Sequence, residues 1–161
     1  MNKLLLFGLG SNLGDRNRFL ETGRQKLEHR FGKLLAQSPI YETEPFGVDH
    51  FTTFLNQVIA FKFVAEPLEI LKITEGIEKE CGRCYKRDLQ PRSLDIDILS
   101  FGNAVFESAE LTIPHPAIAK RRFVLIPLLD ICPGWIDPKS GKMGSVMLQD
   151  LSDESWIRKW K

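Results

Sequence analysis

The sequence predicts an α+β fold of the ferredoxin-like kind, an antiparallel β-α-β-β-α-β sheet with helices packed on it and an irregular C-terminal extension. Two observations predict it. Apolar runs of strand length and two amphipathic helical patterns follow one another in that order, and the further strand-helix alternation that a doubly wound sheet requires is missing. Leu4 to Leu9 is the first strand, a continuous apolar run. A Gly8-x-Gly10-x-x-x-Gly14 stretch leads from it to Asp15, and these glycines read as a tight strand-to-helix turn. Phe19, Gly23, Leu27 and Phe31 recur at helical spacing, with Gly32 where a C-cap belongs. Leu34 to Tyr41 and Phe54 to Phe63 are the next strands, separated by an irregular loop from Glu42 to Thr53. Pro67 opens a second helix that carries Ile70, Leu71, Thr74, Ile77 and Cys81 on one face and closes at Gly82. Leu94 to Phe101 is the last strand of the pattern; Phe123 to Leu129 suits a short helix or a strand, and Val146 to Trp160 is weakly helical.

Length and composition narrow the function. The chain has 161 residues, 43 % of them hydrophobic, which suffices for one buried core and predicts a single domain over residues 1–161. Its 22 basic and 21 acidic residues nearly cancel, so neither a basic nucleic-acid coat nor an acidic disordered tail is expected. No apolar run reaches the ~18 residues of a membrane span, and the short run after Lys3 lacks a cleavage site. Three cysteines, Cys81, Cys84 and Cys132, form no disulfide framework and suit a reducing, cytoplasmic setting. Cys81-x-x-Cys84 lacks the second pair of a structural zinc site, and the glycine stretch matches neither the dinucleotide fingerprint nor a Walker loop.

The strongest chemical signal is Pro91-Arg92-Ser93-Leu94-Asp95-Ile96-Asp97-Ile98. Strand alternation places Asp95 and Asp97 on one face, their Cα atoms roughly 6 to 7 Å apart, and Leu94, Ile96 and Ile98 on the other. A bare D-x-D is more often a solvated acidic face, but Leu99 and Phe101 continue the acidic face as apolar residues, which argues for a covered cleft. Two ionised carboxylates so close repel unless a cation compensates, and Mg²⁺ suits a pair of carboxylates completed by water and phosphate. Basic clusters flank the strand, Arg83, Lys86, Arg87 and Arg92 before it and Lys120, Arg121 and Arg122 after it. Either alone reads as a solvated loop; on both sides of a D-x-D they suit a phosphate clamp. His115, held between Pro114 and Pro116, can donate to a phosphate. His29 reads as a helix-surface residue and His50 as a loop residue. Thr43-Glu44-Pro45-Phe46-Gly47, Phe54-Leu55-Asn56 and Phe123 combine aromatic faces with an amide, a set that suits a planar heterocycle as well as ordinary core filling.

Read together, Gly10-Ser11-Asn12-Leu13-Gly14, Thr43-x-Pro45-x-Gly47, Phe54-Leu55-Asn56, Pro91-Arg92-x-Leu94-Asp95-x-Asp97, Pro114-His115-Pro116 and Arg121-x-Phe123 resemble the hydroxymethyl-dihydropterin pyrophosphokinase family of folate biosynthesis, in order and over nearly the whole chain. The resemblance implies transfer of the β,γ-diphosphate of ATP to the hydroxyl of 6-hydroxymethyl-7,8-dihydropterin, leaving AMP. It implies two Mg²⁺ ions on Asp95 and Asp97, with Arg83 and Arg92 as further catalytic residues. It implies ATP contacts at Glu78, Arg83, Arg92, Ile98, Thr112, His115 and Arg121. Pterin contacts are implied at Thr43, Pro45, Phe46, Phe54, Asn56, Asp95 and Phe123. A monomer with no nucleic-acid or membrane partner is expected. The chain departs from the family pattern between Arg83 and Pro91, where Tyr85 takes the place of a second Arg and Asp88-Leu89-Gln90 carries no aromatic, and at Glu110, where a basic residue is common. In the family that loop closes over the substrates.

Three other readings use the same residues. A different Mg²⁺-dependent nucleotidyl or phosphoryl transferase would release pyrophosphate rather than AMP. A degenerate homologue would bind pterin without transfer. A ferredoxin-like RNA-binding module would need a basic-aromatic pattern on its strands, which is missing.

Overall fold

In a computed structural model of the chain, residues 1–45, 52–82 and 93–161 are described. The first apolar run becomes β1 (Lys3–Ser11), which outlasts its apolar stretch because Gly10 and Ser11 still pair with Asn56 and Leu55 of β4 (Phe54–Phe63). Gly8 and Gly10 therefore lie inside a strand rather than in the turn expected of them. The turn is made at Gly14, whose φ of 68° few other residues adopt. Helix α1 (Arg16–Phe31) follows; Asp15 caps it by accepting the Arg18 N–H, and Leu20, Gly23, Leu27 and Phe31 are its buried stripe. Helix α2 (Pro67–Glu80) begins at Pro67 as expected, where the Glu69 carboxylate reaches back to the Glu66 N–H at 3.0 Å.

The strand expected over Leu34 to Tyr41 is two short pieces, β2 (Ala36–Gln37) and β3 (Tyr41–Thr43). Pro39 lies between them and has no N–H to give a ladder. β4 matches its expected bounds, and β5 (Asp95–Phe101) is the acidic strand. After it come β6 (Phe106–Glu107) and β7 (Thr112–Ile113), a separate hairpin, then a 3₁₀ turn over Pro116–Ala119. Phe123 to Leu129 resolves as part of α3 (Arg122–Ile131), with Pro127 inside it. The last stretch is helical only as α4 (Gly144–Asp150); it ends in a strand, β8 (Ile157–Lys159), which the sequence did not suggest.

The main sheet is antiparallel in the order β5-β1-β4-β3-β8, with β2 also on β4. On one face α1 and α2 close a core that includes Phe7, Leu20, Leu27, Ile59, Ile70, Ile77 and Ile96. Phe7 and Phe31 pack there with ring centres 5.2 Å apart. On the other face α3 and α4 cover Leu6, Val58 and Leu99 with Val124, Leu125, Leu128 and Met147. An RNA-binding module that stacks bases on its sheet needs that second face open.

β5 does not alternate to its end. Its register against β1 shifts between Leu6 and Phe7, so that Ile98 opposes Phe7 while Ser100 opposes Leu6. The extra residue, Leu99, flips the remainder of the strand. Leu99 stays on the face of Asp95 and Asp97, but Phe101 crosses to the α1/α2 core with Ile96 and Ile98, against the expectation that it would continue the acidic face.

Candidate active site

Asp95 pairs with Gly10, Gly10 with Asn56, and Asn56 with Tyr41, so the four form one row across the sheet with their side-chain positions on a single face. Gly10 keeps that row open. A Cβ at this position would sit 3.1 Å from Asn56 Oδ1 and 3.8 Å from Phe54 Cδ1. Asn56, 9 % exposed, donates from Nδ2 to Thr43 Oγ1 at 2.8 Å, which fixes the amide with Oδ1 on the Gly10 side. Phe54, two residues earlier on β4 and opposite Thr43, shares the face. Beyond the row, the Tyr41 hydroxyl donates to Asp130 of α3, and burial first, then Asp130, raises the Tyr41 hydroxyl above its ordinary value.

Asp97 opposes Gly8, two pairs along from Asp95's row, the spacing that keeps both acids on one face. The side chains beside it come from the segment after β7. The His115 N–H donates to the Leu99 carbonyl at 2.8 Å and ties this segment to β5. His115 Nδ1 accepts the Ala117 N–H at 3.0 Å, so in the neutral ring the proton sits on Nε2, which lies 3.7 Å from Asp97 Oδ1. Both side chains keep about a third of their surface in contact with solvent, 33 % for Asp97 and 29 % for His115.

Arg121, the residue before α3, completes this corner. Burial pushes its guanidinium down from its ordinary value, and the charges of Asp97 and Asp153 oppose that shift. It stacks over Phe123, 5.7 Å from the ring centre. Arg121, Phe123 and Pro45 line a cleft of about 430 Å³ together with Glu44, Lys120 and the 152–155 stretch that carries Asp153. Asp153 is pushed up by burial, but hydrogen bonds from Ser155 and from the Arg122 N–H outweigh this and hold it below the usual carboxylate range.

Asp95 and Asp97 form a donor set of two partly exposed carboxylates on one strand face. Among the described residues no three His, Cys, Asp or Glu side chains gather into a cage. A two-carboxylate set fits Mg²⁺, which keeps several waters and takes phosphate oxygens, better than it fits metals that need three or four protein ligands.

The profile of the 7,8-dihydro-6-hydroxymethylpterin-pyrophosphokinase (HPPK) family matches residues 6–133, so it spans β1 through the end of α3 and holds the whole row and corner. The chain belongs to the HPPK family. Among curated relatives, the 2-amino-4-hydroxy-6-hydroxymethyldihydropteridine pyrophosphokinase of Porphyromonas gingivalis is 41 % identical over 143 residues, 85 % of this chain and 95 % of the relative. The protein of that name from Bacillus subtilis is 39 % identical over 162 aligned positions, 100 % of this chain and 92 % of the relative. Among solved structures, an HPPK-DHPS in complex with substrates aligns with a TM-score of 0.74 at 17 % identity, over 92 % of this chain. Plasmodium falciparum HPPK-DHPS with pteroate gives 0.74 at 16 %, again over 92 %. At such identity these two show the fold. They are longer molecules, of which this chain spans 43 % and 42 %.

Within this HPPK chain the residues singled out from the sequence fall into three groups. Asp95, Asp97, Asn56, Thr43 and Phe54 share one sheet face, His115 and Arg121 come to Asp97 from the segment after β7, and Phe123 and Pro45 line a cleft with Arg121. Three others stand apart. Glu78 is 3 % exposed and its carboxylate accepts the Ile96 N–H at 2.8 Å, a bond that anchors the backbone between the two acids. Ile98 has its side chain in the core, 2 % exposed. β5 is an edge strand and the Ile96 N–H points away from β1, so by alternation the Ile98 N–H and C=O face that same open edge. Thr112 sits on β7, three residues before His115. Arg83, Arg92 and Phe46 lie outside the described residues, as do His50, Cys84 and the rest of the 83–91 segment.

Sequence reasoning missed Gly10 as the floor of the site and Asp153 as a wall of its cleft. The signal for Gly10 was present, since β1 and β4 alternation sets it beside Asn56 once the register is known. Asp153 had none, because its Arg122 partner is 31 positions away and no motif joins them.

Proposed function

We propose that this chain transfers the β,γ-diphosphate of ATP to the hydroxyl of 6-hydroxymethyl-7,8-dihydropterin, giving the pterin diphosphate and AMP, in folate biosynthesis. The observation that carries the reading is the row Asp95-Gly10-Asn56 with His115 and Arg121 beside Asp97, inside a chain of the HPPK family. In the reaction the hydroxymethyl oxygen bonds to the β-phosphorus, the bond from that phosphorus to the oxygen bridging to the α-phosphorus breaks, and that oxygen leaves with AMP. The hydroxyl proton passes to solvent.

Asp95 and Asp97 are the residues that would hold two Mg²⁺ ions, which when bound neutralise triphosphate charge and stabilise the attacking and leaving oxygens of an in-line displacement. Arg121 would meet phosphate oxygens as a cation whose partial burial strengthens its field. His115 offers its Nε2–H to the same charge. The edge of β5 at Ile98 offers a donor and an acceptor to a nucleobase, with Thr112 on the neighbouring hairpin. Arg83 and Arg92 complete the phosphate contacts in this reading. Asn56, with Nδ2 engaged by Thr43, presents Oδ1 and a second N–H to the edge of the heterocycle, while Phe54 and Phe123 supply flat faces and Pro45 and Phe46 the flanking loop. Glu78 acts in this scheme by holding the strand between the two acids.

Among the described residues no helix is long and apolar enough to cross a membrane, and a cytoplasmic monomer is the setting proposed. The purified chain incubated with ATP, Mg²⁺ and the hydroxymethyl-dihydropterin should release AMP. A folded chain that releases none, or that releases pyrophosphate in its place, would overturn the assignment.

A further inference from the structure

Behind the row of site residues, on the opposite face of β3, lies a partly buried ionic hub centred on Glu42, with Arg158 reaching it from the surface. Glu42 sits between Tyr41 and Thr43 with its side chain 12 % exposed, and alternation turns it away from the site face. Its Oε2 accepts the Thr53 hydroxyl at 2.8 Å and Arg16 Nη1 at 3.3 Å. Its Oε1 accepts Nε and Nη2 of Arg158, its direct partner across β8, at 3.0 and 2.6 Å. Arg16 Nη1 also reaches the Thr53 carbonyl at 2.8 Å and its hydroxyl at 2.7 Å. The carbonyl and the hydroxyl of Thr53 are thereby clamped by charged partners, and Thr53 is the residue from which Phe54 leaves. Thr43, the acceptor for Asn56, adjoins Glu42 on the other side.

We infer that Glu42 is a positioning residue for the heterocycle wall of the site, acting through Thr53 on the ring of Phe54 and through β3 on the Thr43-Asn56 pair. The inference rests on reading Phe54, Asn56 and Thr43 as the pterin-binding wall. Glu42 touches no substrate. Hydrogen bonds with one ionised partner are roughly twice as strong as neutral ones, so the clamp defines the exit of Phe54 more tightly than an ordinary loop contact would. ATP would be held by β5, His115 and Arg121, which the hub does not touch, so loosening it should act on one substrate alone.

The test is the steady-state rate of AMP release by the full chain, with each substrate varied at saturation of the other. Thr53→Val removes the clamped hydroxyl and leaves the Glu42–Arg158 pair; it and Glu42→Gln should raise the pterin KM about tenfold, with kcat and the ATP KM within about twofold. Thr53→Ser, which keeps the hydroxyl, should restore the pterin KM. A Thr53→Val chain with the wild-type pterin KM overturns the inference, as does one whose kcat and both KM values change together. A wild-type chain that releases no AMP overturns the reading of the site, and the inference with it.

Discussion

Gly10 shows how a residue without a side chain can define a site. Asp95 and Asn56 face the same space only because nothing projects between them, and an added Cβ would lie 3.1 Å from the Asn56 oxygen. Gly10→Ala should therefore push the Asn56 amide off its Thr43 partner and raise the pterin KM several-fold, leaving the fold intact by circular dichroism; an unchanged KM would remove Gly10 from the site. Asp97 lies at the other extreme, a partly exposed carboxylate whose charge is what the proposed reaction uses. Asp97→Ala should cost turnover on the order of 10²-fold to 10³-fold, as for loss of a preorganised charge at a reacting centre, while pterin fluorescence titration still reports binding. Turnover undiminished in that variant would leave the paired carboxylates without a catalytic part. Asp97 was legible as a position in a strand, whereas Gly10 was expected just past the end of one. Gly10 was misread as turn material because its role depends on the β1–β4 register, which is a property of pairing and not of local sequence.

The elements divide by the range of the interactions that make them. α1, α2 and β4 were readable because their patterns repeat within a dozen residues and their ends carry local signals in Asp15, Gly32 and Pro67. β8 was not readable. Three residues, Ile157 to Lys159, acquire strand geometry only by pairing with β3, more than a hundred positions earlier, and by the Arg158–Glu42 ion pair. The same limit hid the bulge at Leu99, since only the partner strand shows which residue is extra. Ending the chain at Leu151 should remove β8, the Glu42 pair and the Asp153 cap on the Arg122 N–H, and lower the melting temperature by about 4 to 8 °C, equivalent to about 2 kcal/mol. A melting curve identical to that of the full chain would show that the last strand is ornamental to stability. Acid offers a second handle. Hydrogen bonds from Arg158, then from Thr53 and Arg16, hold the Glu42 carboxyl below the usual range against its burial. A depressed folded-state value means that the unfolded chain binds the proton first; the stabilisation is complete above about pH 4.3 and fades as pH falls through the folded value. Between about pH 6 and about pH 3 the urea midpoint of the wild type should therefore drop further than that of Glu42→Gln. Equal drops would mean that the hub adds no pH-dependent stability.

At the scale of the whole molecule a net charge of +1 hides a segregated arrangement. Asp97 on β5 faces His115 and Arg121 from the segment after β7, and the apolar covering of the second sheet face by α3 and α4 packs beside them. The identities of Asp95, Asp97, Asn56 and Thr43 could be taken from short motifs, whereas the approach of His115 and Arg121 to Asp97 required the fold, because the separations along the chain are bridged only by packing. In the proposed reaction ATP and acceptor would share one cleft. Chelation of divalent ions should abolish turnover and restored Mg²⁺ should return it; turnover that persists in excess chelator would contradict two-carboxylate metal binding. The most direct measurement follows the phosphorus atoms themselves. With ATP, Mg²⁺ and 6-hydroxymethyl-7,8-dihydropterin, phosphorus NMR of the reaction should show the β- and γ-phosphorus resonances moving together onto the pterin as AMP accumulates in equal amount. Appearance of ADP or free pyrophosphate instead, with no diphosphate on the pterin, would contradict the account.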